Sequence, residues 1–299
     1  MKILVNRTPV AGPWGGGNLL VKSLYEILPK MGVTVTSVFE KDIDLIFMQD
    51  PSYGDTGISI NEIIKYKSEN PNTKVVHRVN ECDARKGTTG VDDLLKECSK
   101  YTDHTVFVSN WMKEYHTNNK WMCNSSVIYN GVNKDHFFES EKIDNRKVNI
   151  VTHHWSNNRM KGFDVYDWID NFVGHQSDFT FTYIGRENGT FKNTKVIQPL
   201  FGKDLGSCLS KYNIYISGSL FDPGPNHILE SLACKIPTYV YSDGGGCVEF
   251  AGKSHVYKGF EDLEKILILK NYDNNILSPS TWDECMIEYF DLFKSLCGE

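Results

Sequence analysis

The stretch S-G-S-L-F-D-P-G-P-N-H-I-L-E-S-L-A-C-K-I-P-T-Y-V-Y-S-D-G-G-G-C-V-E, residues 217–249, decides the fold. An apolar run at residues 212–217 ends in a loop broken by Gly218, Pro223, Gly224 and Pro225. Asn226 then opens a segment in which Ile228, Leu229, Leu232 and Ala233 recur at helical spacing. A second apolar run, residues 238–241, follows at once and finishes in Ser242, Asp243 and three glycines. Strand, loop, helix and strand in that order imply a parallel sheet, and such sheets bind ligands outside the carboxyl ends of their strands. After Pro225 the helix start presents the N–H groups of Asn226, His227 and Ile228 with the positive end of the dipole, which suits a phosphate or diphosphate. Asp222 and Glu230, eight residues apart, flank that place. Carboxylates suit sugar hydroxyls rather than phosphates, although plain roles on a helix start and a helix surface stay open for both.

Moving outward, the second half of the chain begins with a strand at residues 148–152, a loop at 153–162 holding Arg159, Lys161 and Gly162, and a helix at 163–172. A strand at 179–184 ends in Gly185-Arg186-Glu187, and a short strand at 196–199 and a short helix at 205–211 lead back to the opening stretch. The first half repeats the logic. A strand at residues 2–6 empties into a loop at 7–18 containing G-P-W-G-G-G, and Leu20, Leu24, Ile27, Leu28 and Met31 continue as a helix that Pro29 distorts and Gly32 stops. Gly16 and Gly17 fit either a tight turn or close approach of the backbone to a ligand. Strands at 33–39 and 44–49, a helix at 58–68 and a strand at 74–79 follow, the last ending in Asn80 and the charged segment Glu81 to Gly87. That segment reads either as a solvated loop capping a helix at 91–100 or as a functional strand-end loop. A strand at 105–109, a helix from Asn110 and a strand at 127–129 lead into Asn130-Gly131. Residues 138–147 are polar and aperiodic and read as a linker, and Trp282, Met286, Tyr289, Phe290, Phe293 and Leu296 form a helical apolar stripe.

Composition bounds the function. A chain of 299 residues suggests two domains of about 140 residues each. With 40% hydrophobic residues, 23% charged residues and a net charge of -6, the composition argues against nucleic acid as the main partner, since counterion release needs clustered Lys and Arg; a local basic patch stays open. No apolar stretch approaches the roughly 20 residues of a membrane span, and the start leads straight into a strand, so neither anchor nor signal peptide is expected and the protein reads as cytoplasmic. Peripheral membrane contact and oligomeric state are left open. The eight cysteines show no C-x-x-C spacing, so neither a zinc site nor a disulfide framework is expected.

Taken together, the glycine loop Gly15-Gly16-Gly17, F-V-S-N-W, I-Y-N-G-V-N, Lys161-Gly162, Gly185, D-P-G-P-N-H-I-L-E-S-L-A-C-K-I-P and D-G-G-G-C-V-E resemble a retaining glycosyltransferase of family four. The resemblance covers most of the chain. It implies an α/β protein of GT-B fold, with two Rossmann-like domains facing across a cleft and a C-terminal helix crossing back to the first. The domains would be an acceptor domain at residues 1–140, a donor domain at 147–278 and the crossing helix at 280–299.

The resemblance also implies roles. A UDP- or GDP-sugar would be the donor substrate, with no cofactor, and a carbohydrate the hydroxyl acceptor. Lys161 would neutralise the diphosphate at the helix start Pro225, Asn226, His227 and Ile228, with Arg159 as a second cation. Gly16, Gly17 and Gly185 would line the donor site, and Glu230 would bind ribose hydroxyls. Asp222 stands where the family favours glutamate and would meet the hexose or the developing oxocarbenium charge. The segment His153-His154-Trp155-Ser156 replaces the family's usual arginine region, and Asn80 replaces its sugar-positioning histidine. Asn80 positions a hydroxyl but cannot act as a base, and Glu81, Asp83 and Arg85 would face the acceptor. A lysine and a helix dipole can neutralise a diphosphate, so metal-independent catalysis with no metal ligands is expected. The alternatives are a sugar-nucleotide epimerase on the same fold and a catalytically inactive nucleotide-sugar-binding module.

Overall fold

A computed structural model describes residues 1–12, 15–51, 57–144 and 146–298. Pro13 and Trp14 of the predicted glycine loop, and Asn145 of the predicted linker, lie outside the described residues. The chain divides into two compact units, Met1–Gly131 with Trp282–Glu299, and Val132–Thr281.

In the first unit the strands are β1 (Lys2–Val5), β2 (Thr34–Thr36), β3 (Leu45–Met48), β4 (Lys74–Val79), β5 (His104–Phe107) and β6 (Ser125–Val127). The helices are α1 (Gly16–Ile27), α2 (Ile60–Glu69), α3 (Asp83–Lys86), α4 (Val91–Cys98) and α5 (Asn110–Asn118). The strands pair in parallel in the order β2-β1-β3-β4-β5-β6. Strand order therefore reverses between β1 and β3, and that switch point is where such sheets open for a ligand. As Pro29 and Gly32 imply, α1 tightens into a 3-10 turn at Leu28–Met31 and stops at Gly32 with φ 83°. Ser59 and Glu62 make a reciprocal capping box at the start of α2. The C-terminal helix, Trp282–Cys297, buries Trp282, Met286, Tyr289 and Phe293 with Leu20, Leu24 and Phe47 in one core. Residues 81–87, read as a charged loop, contain the single helical turn α3, too short for periodicity to reveal.

In the second unit the strands are β7 (Val148–His154), β8 (Phe179–Gly185), β9 (Lys195–Ile197), β10 (Ile214–Ser217), β11 (Thr238–Tyr241) and β12 (Val256–Tyr257). The helices are α6 (Phe163–His175), α7 (Gly202–Leu209), α8 (Asn226–Ala233), α9 (Gly246–Ala251) and α10 (Phe260–Leu269). The parallel order β12-β11-β10-β7-β8-β9 is that of a dinucleotide-binding fold, with its switch point between β7 and β10. One face of the sheet packs on α7, α8 and α9 through Leu209, Ile228, Leu232 and Cys247; the other packs on α6 and α10 through Phe163, Tyr166, Ile169, Leu263 and Leu267. Phe137, at the edge of the predicted linker, is buried in the first of these cores. His153 and His154, read as loop, instead complete β7, pairing with Ile184 and Gly185 of β8. Their rings are polar but find buried partners, which lets the strand run on.

Candidate functional site

Three segments of the second unit meet at its switch point. The 3-10 turn Arg159–Lys161 follows β7 and ends at Gly162, whose φ of 100° favours glycine and whose Cβ would stand 2.2 Å from Gly218. That contact presses the loop after β7 onto the loop after β10, and Leu220 N donates to Met160 O at 2.9 Å. The loop after β11 is tied to the same place: Phe221 N donates to Asp243 O, Asp222 N to Gly244 O and Gly246 N to Asp222 O. Gly244, Gly245 and Gly246 permit this, since a Cβ on any of them would meet backbone oxygen within 3.0 Å.

The side chains follow from that backbone. Lys161 Nζ donates to Asp222 Oδ2 at 3.0 Å, with the lysine 19% and the aspartate 8% exposed. Glu230, one turn into α8, lies 2.7 Å from His153 Nε2, and Tyr215 OH lies 3.1 Å from His153 Nδ1. A carboxylate only accepts, so Nε2 carries the hydrogen toward Glu230, and the Tyr215 hydroxyl lies within reach of both Nδ1 and His153 O. His154 Nε2 is 2.5 Å from Tyr166 OH, and Tyr166 OH accepts from Gly218 N. Burial pushes the Tyr166 and Tyr215 hydroxyls up, which keeps both neutral. His227 Nε2 sits 2.9 Å from Ser217 Oγ and 4.0 Å from Cys247 Sγ. Pro225 is the N-cap of α8 and supplies no side-chain hydrogen bond to the helix start.

Thus Lys161, Asp222, Pro225, Asn226, His227, Ile228 and Glu230 gather at one sheet edge. Gly185 has a structural reason for its type: a Cβ there would stand 1.9 Å from His154 O of the paired strand. Arg159 is half exposed and pairs with Asp164 and Asp167 of α6. Sequence reasoning missed His153 and Tyr215 as the support of Glu230, because partners 77 and 62 residues apart show no local pattern. Arg186, just past β8, stacks its guanidinium 3.9 Å over the Trp155 ring.

In the first unit, Gly17, Gln49 and Asn80 come together at the switch point: a Cβ on Gly17 would lie 2.5 Å from Gln49 Nε2 and 3.8 Å from Asn80 Nδ2. Gly16 opens α1 beside them. Gln49, just past β3, was not singled out in the sequence; its Oε1 is buried with no hydrogen-bond partner among the described residues. Asp83, expected to face the acceptor, also has a structural task. Its carboxylate accepts from Gly90 N, Val91 N and Asp92 N at the start of α4, and Arg85 is buried. An Asp-x-Asp triplet can chelate a metal on a diphosphate, and Asp42-Ile43-Asp44 is such a triplet, but it is exposed at both aspartates and precedes β3 at the amino end of the sheet, away from this edge.

No family model matches this sequence, and no curated protein matches it. Solved structures do match in shape. The sucrose-phosphate synthase of Thermosynechococcus elongatus superposes with a TM-score of 0.68 at 12% identity, covering 99% of this chain and 98% of that one. The chain has the GT-B fold. WaaG, a glycosyltransferase involved in lipopolysaccharide biosynthesis, gives a TM-score of 0.61 at 12% identity over 100% of this chain and 98% of its own. TarM gives 0.65 at 14% identity over 92% of this chain, which spans 58% of TarM's length. At such identities the GT-B likeness establishes architecture, and residue roles must come from the site itself.

Proposed function

We propose that the protein is a retaining glycosyltransferase that moves a hexose from a UDP- or GDP-sugar to a hydroxyl of a carbohydrate acceptor. The observation that carries this reading is the convergence of Lys161, the start of α8 and the supported carboxylate of Glu230 at the switch point of a dinucleotide-type sheet. The diphosphate takes the helix start and Lys161, which leaves Asp222 for hexose hydroxyls or the developing positive charge. Glu230, fixed by His153, accepts from ribose hydroxyls. The acceptor hydroxyl attacks from the face the leaving phosphate departs from, and a phosphate oxygen takes its proton; Asn80 orients and takes no proton. Lysine and helix dipole supply the charge that a metal would otherwise bring. The GT-B glycosyltransferases of similar shape support the class of reaction, and the same reading places the enzyme in the cytoplasm. Among the described residues no helix is long and apolar enough to cross a membrane.

Three histidines at this edge, His153, His154 and His227, favour a second reading, a sugar-nucleotide epimerase, which needs acid and base groups near the hexose. Each ring already holds a buried partner, which fits positioning better than proton transfer. A thermal-shift screen with nucleoside diphosphates and their sugars tests the site, since a ligand at 100 times its dissociation constant adds about 2.7 kcal/mol. Proton NMR of the product then separates the readings. A retained anomeric configuration in a new glycoside supports transfer, and a changed sugar on the same nucleotide without acceptor overturns it.

A further inference from the structure

We propose that Asp222, His227 and Cys247 form a binding site for a thiophilic divalent cation of the zinc class. All three are buried, and one ligand atom from each lies within 4.8 Å of the others. They come from three elements: the loop after β10, the second residue of α8 and the second residue of α9. The backbone hydrogen bonds between residues 221–222 and 243–246 hold the loop and α9 together before any ion arrives. The site is thus built without needing the long rearrangement that a chance cluster would.

The donor set selects the ion. Zinc takes thiolate, imidazole and carboxylate, whereas magnesium and calcium take oxygen. Standard zinc bond lengths put sulfur and nitrogen about 3.5 Å apart in a tetrahedral site. His227 Nε2 and Cys247 Sγ are 4.0 Å apart, a difference that small side-chain rotations absorb. Ser217 Oγ accepts from Ser219 N and lies 2.9 Å from His227 Nε2; the tautomer that carries its hydrogen on Nδ1 offers the serine a ring lone pair. The same lone pair would serve the metal. The Cys247 thiol releases its proton to solvent on binding, so thiolate and carboxylate carry two negative charges against the ion's two positive ones. Lys161 already holds Asp222 Oδ2, so the ion and the ammonium compete for one carboxylate and binding stays reversible. Three protein ligands leave a fourth position for water. Asp222 is also the carboxylate proposed for the hexose, so a bound ion and a bound donor exclude each other; the ion is no cofactor of the transfer, and the site stands on these side chains alone.

The test uses the full chain freed of metal, Zn²⁺ by competition with a chromogenic chelator, and Co²⁺ as a spectroscopic probe. One Zn²⁺ per chain is expected. Cys247→Ser and His227→Gln each weaken it by more than about tenfold, while Cys123→Ser, at a partly exposed thiol elsewhere, leaves it unchanged. Co²⁺ in the unaltered protein gives a thiolate-to-cobalt charge-transfer band, a readout that needs no variant to fold. Absence of stoichiometric Zn²⁺, a cobalt complex without that band, or Zn²⁺ binding indifferent to Cys247→Ser would each overturn the site.

Discussion

Lys161 and Asp222 form an ion pair taken largely out of water, and the cost of breaking it exceeds the value of forming it, because one charge stays behind. Lys161→Met is expected to lower stability by about 2 kcal/mol, the low side for such a pair because the lysine keeps some water contact. Lys161→Met with Asp222→Asn should recover most of that loss in urea unfolding; an undiminished loss in the double variant would show that the pair is not the cause. Glu230 differs, since its partner His153 is itself braced by Tyr215. Glu230→Gln removes the charge but keeps the shape, and calorimetry should find donor affinity down by about 1–3 kcal/mol. His153→Phe should act in the same direction through loss of aim. Unchanged affinity in both variants would remove Glu230 from the donor site.

At the scale of elements, the loop after β7 and the loop after β10 press together where neither Gly162 nor Gly218 has a Cβ. Gly162→Ala should cost about 1–3 kcal/mol and displace Lys161, lowering both melting temperature and donor affinity. A variant with native stability and affinity would deny that this contact positions the lysine. The segment between these loops shows what the sequence could reveal. Asn226 opening α8 after Pro225, and β11 at Thr238–Tyr241, were legible because proline, apolar spacing and glycine punctuate them. The strand extension at His153 and His154 was not, since a histidine in a strand looks polar until Tyr166, Tyr215 and Glu230 are placed against it. Residues 250–279 yielded no element in the sequence reading, although Leu263 and Leu267 are one turn apart and both face the core of the second unit in α10. Pairs such as Lys161 with Asp222, 61 residues apart, depend on which strands become neighbours, and no local pattern encodes that.

At the scale of the whole molecule, buried histidines make the first unit sensitive to acid. His77 is wholly buried in β4, and desolvation lowers its pKa to about 3, while burial also lowers His104 and His116 in the same unit. A histidine whose folded pKa is depressed gives its full stability above the unfolded value near 6.5 and loses it as pH falls toward the folded value. From pH 6.5 to pH 5 the loss from His77 alone is about 2 kcal/mol. Urea midpoints should fall over that window, and His77→Leu should flatten the fall; an equal slope in the variant would place the sensitivity elsewhere. The alternation of strands and helices made the α/β class readable from period, because each sheet is built from short buried runs separated by loops, whereas the GT-B expectation came from the resemblance carried by the motifs of residues 217–249 and their companions.

The central claim is that the second unit's switch point activates a nucleoside diphosphate sugar through Lys161. The most direct measurement is nucleoside diphosphate release across a panel of UDP- and GDP-sugars, run side by side on the unaltered chain and on Lys161→Ala. Turnover of at least one donor, lowered by about a hundredfold or more when the lysine is removed, is the result this account predicts. No release from any donor, or full release in Lys161→Ala, would contradict it.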